Sequence, residues 1–132
     1  MKPSEFDLSA LRLIRENIIR ITNKFILPHD TDGKRVLEIG PSEFHKIEFS
    51  KAVHHTIDIS KDVESTFHAD ICSIADIDKI EGKYDVILLF EVLEHVSNPF
   101  IALQNLRGKI KNDGTLYITT PFNFRIHGPL PD

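Results

Sequence analysis

Two stretches of this chain carry residues whose types and spacing could do chemistry. The first, Val36-Leu-Glu-Ile-Gly-Pro-Ser42, reads as a strand that ends in an acid and a glycine, and Asp58 closes the next apolar run twenty positions after Glu38. In a doubly wound sheet, an acid at that distance from a glycine turn holds ribose hydroxyls at the carboxyl ends of the strands. A carboxylate suits the task because it accepts hydrogen bonds from both hydroxyls, and glycine lets the backbone pass close to a ligand. A plain strand and turn with two solvated acids accounts for the same spacing equally well. The second stretch places Glu91, Glu94 and His95 at i, i+3 and i+4. If a helical turn begins there, all three face one way. Three readings compete. Glu94 and His95 bond the backbone and fix the loop, or His95 takes a proton from an acceptor. In the third reading the trio holds a divalent cation through mixed oxygen and nitrogen ligands. The metal reading is not the favoured one, because it needs a fourth ligand and His127 is the placed candidate.

The elements that must position these residues follow from hydrophobic periodicity. Leu8, Leu11, Ile14, Ile18, Ile21 and Phe25 recur at spacings of three and four, which predicts an amphipathic helix, with Ser4 and Asp7 near its start and Pro28 closing it. Residues 1–30 are read as this helix and a short linker, and residues 31–132 as the ligand-binding part of one domain. Short apolar runs follow at Arg35–Ile39, Val53–Ile59, Thr66–Ala69, Tyr84–Phe90 and Leu116–Thr120. Tyr84–Phe90 is almost wholly apolar, as a strand buried on both faces must be. Phe100, Leu103, Leu106 and Ile110 predict a helix over Pro99–Lys111, and Asn112-Asp-Gly114 predicts a turn before the last strand. Strands alternating with helical segments predict a parallel α/β sheet. The link Pro41–Ala52 has room for one or two helical turns, and Ser60–Ser65 is shorter than an ordinary crossover. His29, His54 and His55 are read as solvated or structural, and Cys72 as a small buried apolar residue.

The run Tyr84-Asp-Val-Ile-Leu-Leu-Phe-Glu-Val-Leu-Glu-His-Val96, followed by Asn98-Pro99, Gly114 and a strand ending at Pro121, resembles the class I S-adenosylmethionine-dependent methyltransferases that carry an EvLEHv signature. The resemblance covers about Val36 to Pro121. It implies a Rossmann-like, mostly parallel sheet of about five strands in the order 3-2-1-4-5 with flanking helices. It also implies S-adenosyl-L-methionine as cofactor. Glu38 and Gly40 match the motif under the methionine part and ribose, and Asp58 the acid that grips the ribose. Asp70 and Ile71 match the pair beside the adenine, and Phe90 and Glu91 positions lining the methionine arm. The trio Glu91, Glu94 and His95 also resembles the metal-assisted O-methyltransferases of ubiquinone synthesis and of small-RNA 3′ ends. The family sheet normally ends with two further strands. This sequence stops at Asp132, which is expected either in a fragment or in a minimal form that completes its sheet edge by pairing with a second copy.

Composition bounds the rest. With 132 residues, 41% hydrophobic and 27% charged, the chain has the makeup of one globular domain, and not of a disordered or fibrous protein. The formal charge of −4 argues against unaided capture of nucleic acid or an anionic membrane. One cysteine excludes an internal disulfide framework. No run is long enough to span a membrane and the N-terminus lacks the features of a cleaved leader, so the cytoplasm is the expected compartment. The expected function is methyl transfer from S-adenosyl-L-methionine to a small-molecule acceptor, with His95 as the candidate base. The competing expectation is a methyltransferase-like module that binds or interacts without turnover.

Overall fold

The computed structural model of the chain describes residues 5–42 and 45–121. Ser4, His127 and the rest of the C-terminal stretch lie outside them. The elements run α1 (Glu5–Ile21), a π-helical turn (Thr22–Ile26), a 3-10 turn (Leu27–His29), β1 (Arg35–Ile39), β2 (Val53–Asp58), β3 (Phe67–His68), α2 (Ile74–Asp78), β4 (Tyr84–Phe90), a 3-10 turn (Leu93–His95), α3 (Pro99–Arg107) and β5 (Ile110–Thr119). All strand pairs are parallel, and the sheet order is β3-β2-β1-β4-β5. This is the expected Rossmann-like α/β architecture. No helix among the described residues is long and apolar enough to cross a membrane.

Period-two alternation divides the sheet into two apolar faces. Leu37, Ile39, Ile57, Ile87 and Leu89 pack against Ile77 of α2 and Ala102 and Leu106 of α3. Val36, Val86, Leu88 and Phe90 pack on the other side against Ile18 and Ile26. Every residue of β4 is buried, because layers cover it on both faces.

The helix stripe differs from its periodic reading. Ile18 and Ile26 are buried, while Leu8 and Phe25 are about half exposed. A π-helical turn holds an extra residue per turn, so the inward position passes from Phe25 to Ile26. Phe25 instead lies under the ammonium of Lys24, 5.0 Å from the ring centroid.

Helix α3 ends at Arg107, four residues before the expected end, and Ile110 already pairs with Tyr84 in the sheet. Pairing then jumps from Tyr84–Ile110 to Val86–Thr115, so the residues read as a turn, Asn112-Asp-Gly114, are accommodated as an irregularity within β5. A side chain at Gly114 would place its Cβ 2.6 Å from Ile110 Cγ1.

The links after β1 and β2 carry no helix among the described residues. The first is tethered instead by Asp30, whose carboxylate accepts N–H bonds from Ala52, Ser50 and Lys51 at 2.8–2.9 Å and the Ser50 hydroxyl at 2.7 Å. These bonds, the Ala52 N–H foremost, hold its carboxyl well below the usual carboxylate range.

At the same amino end of the strands, Asp85 joins β1, β4 and β5. Its buried carboxylate accepts from Lys111 Nζ at 2.9 Å, the Arg35 N–H at 2.9 Å and Lys34 Nζ at 3.2 Å. Burial alone pushes its pKa up, but the bonds from Lys111, Arg35 and Lys34 outweigh that and bring it from 3.8 down to about 2. A folded-state pKa below the unfolded value stabilises the protein above that unfolded value. The stabilisation is therefore lost as pH falls from about 4 through about 2. Asp85→Ala is expected to cost about 2–4 kcal/mol in urea denaturation near neutral pH, and to flatten the acid limb of the stability curve. A variant as stable as the parent, with the same acid limb, would contradict this.

Candidate functional site

The carboxyl ends of β1, β2 and β4 surround the glycine turn. Gly40 has φ of 64°, a backbone conformation that favours glycine, and its N–H donates to the Ile57 carbonyl at 2.8 Å. A Cβ there would stand 2.9 Å from Val92 Cγ2. Both the dihedral and the close approach of Val92 therefore demand glycine.

The turn opens onto a cavity of about 360 Å³ whose walls include Gly40, Asp58, Asp70, Ile71, Val92 and His95. Four sequence-predicted cofactor residues, Gly40, Asp58, Asp70 and Ile71, thus converge with His95 on one space. Each acid is oriented by the chain just after it. Asp58 Oδ1 accepts the Ser60 N–H at 2.7 Å, and Asp70 Oδ1 accepts the Cys72 N–H at 2.8 Å. These local turns aim the carboxylates without help from distant side chains. Ile71 is pinned from behind, where the buried Asn105 of α3 donates from Nδ2 to its carbonyl at 2.9 Å. Sequence reading passes over Asn105. Its signal is a polar residue next to Leu106 in an otherwise apolar helix stripe, where a buried amide needs a partner.

Glu38 and Phe90 fall elsewhere. Glu38 is 5% exposed and points to the α1 face, where His54 Nε2 lies 2.9 Å from its Oε2. It lines a second, more polar cavity of about 420 Å³ together with Ser42, Lys46, His54, Thr56 and Thr66. Phe90 is packed into the core beneath α1, not in the wall of either cavity. Alternation is the reason for both. Ile39 faces the first cavity, so the preceding Glu38 must face away from it.

Glu91 leaves β4 with φ of 55°, a left-handed conformation uncommon for a residue with a side chain, and its N–H donates to the Thr119 carbonyl at 3.0 Å. The 3-10 turn that follows brings Glu94 Oε1 to 3.8 Å from His95 Nε2, and the His95 N–H bonds the Val92 carbonyl at 2.9 Å. Glu94 Oε2 is buried with no hydrogen-bond partner among the described residues. The left-handed step at Glu91 and the 3-10 turn interrupt the α-helical phase between Glu91 and the neighbouring pair Glu94 and His95. Among the described residues no three His, Cys, Asp or Glu side chains converge as metal ligands would.

Residues 10–129, nearly the whole chain, match the sequence profile of a family described as a methyltransferase domain. The chain belongs to this methyltransferase family. A stretch of 38 residues is also 47% identical to the ubiquinone biosynthesis O-methyltransferase of Glaesserella parasuis serovar 5 (strain SH0165), covering 29% of this chain and 16% of that protein. The match therefore spans less than a fifth of that relative's length. Methyltransferase-family membership and the sheet order β3-β2-β1-β4-β5 describe the same architecture from two sides.

Proposed function

We propose that this methyltransferase-family chain moves the methyl group of S-adenosyl-L-methionine onto a nucleophile of a small-molecule acceptor. The observation that carries the reading is the convergence of Gly40, Asp58, Asp70 and Ile71 on one cavity at the carboxyl ends of the strands. The residues fit the cofactor chemically. Asp58 offers a carboxylate to ribose hydroxyls and Asp70 an acceptor for the adenine amino group, while Ile39, Ile57 and Ile71 offer apolar surface to the base. Glu38 and the second cavity are assigned to the methionine end, where Lys46 and Ser42 can donate to its carboxylate. The cofactor supplies a methyl group already activated on a sulfonium. The chain's task is then to hold, align and exclude water. His95, at the cavity wall, is assigned the proton of the acceptor nucleophile. The short likeness to an O-methyltransferase supports an oxygen nucleophile.

Calorimetric titration with S-adenosyl-L-methionine tests the reading, with saturable heat expected. Asp58→Ala is expected to weaken binding by about 1–3 kcal/mol, because bonds to a charged acceptor are lost. Unchanged affinity in that variant would remove Asp58 from the site. No saturable heat from the wild type would make the domain a non-catalytic interaction module.

A further inference from the structure

Glu38 is a buried carboxylate with an uncommon setting. It is 5% exposed, it lines the polar cavity on the α1 face, and its Oε2 is bonded to His54 Nε2 at 2.9 Å. A charge at that depth is costly unless a donor meets it. Parallel register puts Glu38 opposite Thr56 and His54 opposite Val36. The imidazole therefore approaches from two residues lower in the sheet, about 7 Å below the level of Glu38. The ring reaches up to the wall of the same cavity, where it is well placed to hold the carboxylate in one orientation. Phe49 packs on the imidazole with ring centroids 4.9 Å apart, which restrains the ring in turn. The other titratable groups near this corner are Lys46 and Glu64 in the cavity wall, His45, and Arg15, whose charge acts on His45. Burial lowers the His45 pKa against the upward pull of Glu38, and Arg15 lowers it further; His54 is the residue that bonds the carboxylate.

We infer that His54 is a positioning residue for cofactor binding. Its imidazole occupies Oε2 of Glu38 and leaves Oε1 for the cavity, where the carboxylate receives the ammonium group at the methionine end of S-adenosyl-L-methionine. This rests on the cofactor reading proposed above, and on the assignment of Glu38 to that end. The pair is a polar clamp between β1 and β2, with the sheet itself setting the carboxylate's height and His54 its rotamer.

The test is a double-mutant cycle on the full chain, reading the dissociation constant for S-adenosyl-L-methionine by calorimetry and Tm by circular dichroism. Glu38→Gln and His54→Leu are each expected to weaken binding about tenfold, and the double variant no more than either alone, because the two act as one unit. His54→Gln is expected to restore affinity to within about threefold of the wild type, since its amide N–H can donate to the same oxygen. A merely structural histidine would give a lower Tm with affinity unchanged, and no rescue by glutamine. Multiplicative losses in the double variant, or wild-type affinity in His54→Leu, would overturn the role of His54 while leaving the cofactor reading intact. A wild type that takes up no S-adenosyl-L-methionine would overturn both.

Discussion

His95→Ala is expected to cut turnover by roughly 10²–10⁴-fold while leaving affinity for S-adenosyl-L-methionine nearly intact, the usual effect of removing a positioned proton acceptor. The geometry behind this is specific. His95 lines the same cavity as Asp58 and Asp70, and its imidazole is about half exposed, so a ligand can reach it. Its backbone is fixed by the N–H bond to Val92 O, within a turn that begins directly after the residue whose side chain meets Gly40. The assay is release of S-adenosylhomocysteine over a panel of hydroxylated and amino-bearing small molecules. Two other roles give different results. A metal ligand would make the wild type sensitive to chelator and the variant insensitive to added divalent cation. A structural histidine would lower Tm, with lost turnover explained by lost folded protein. Equal turnover and equal Tm in variant and wild type would defeat all three.

Gly40→Ala is expected to do the converse, harming binding and stability together. Its φ of 64° costs a residue with a Cβ about 1–2 kcal/mol. The new methyl would also press on Val92 Cγ2 at 2.9 Å. Val92 is itself part of the cavity wall, so relief of that contact moves the wall. We expect a destabilisation of about 1–3 kcal/mol and at least tenfold weaker uptake of S-adenosyl-L-methionine. Calorimetry and urea denaturation on the same preparation check both. An alanine variant with unaltered Tm and affinity would show that neither the dihedral nor the contact matters.

Much of this site was legible in the sequence because its signals are local. The glycine turn, the acid twenty residues after Glu38 and the pair Asp70-Ile71 each sit at the end of a short strand, and the structure gathers Gly40, Asp58, Asp70 and Ile71 around one cavity. The apolar run Tyr84–Phe90 announced a central strand by itself, since only a strand covered on both faces dispenses with alternation. What stayed hidden was which face a side chain takes and what waits for it there. Glu38 and Ile39 are neighbours in sequence, yet one meets His54 beneath α1 and the other lines the cavity of Asp58. Phe25 fits the helical stripe, but a single π-helical turn hands its place to Ile26. Glu91, Glu94 and His95 have helical spacing, but a left-handed residue followed by a 3-10 turn interrupts the helix between Glu91 and the pair Glu94 and His95. Asn105 and Ile71 lie 34 positions apart, Glu38 and His54 16. Local propensity and periodicity therefore determined the strands, their turns and the residue types at their ends. The packing of α1 and α3 on opposite faces of the sheet decided which of those residues meet, because a contact between distant segments is created only when the layers close.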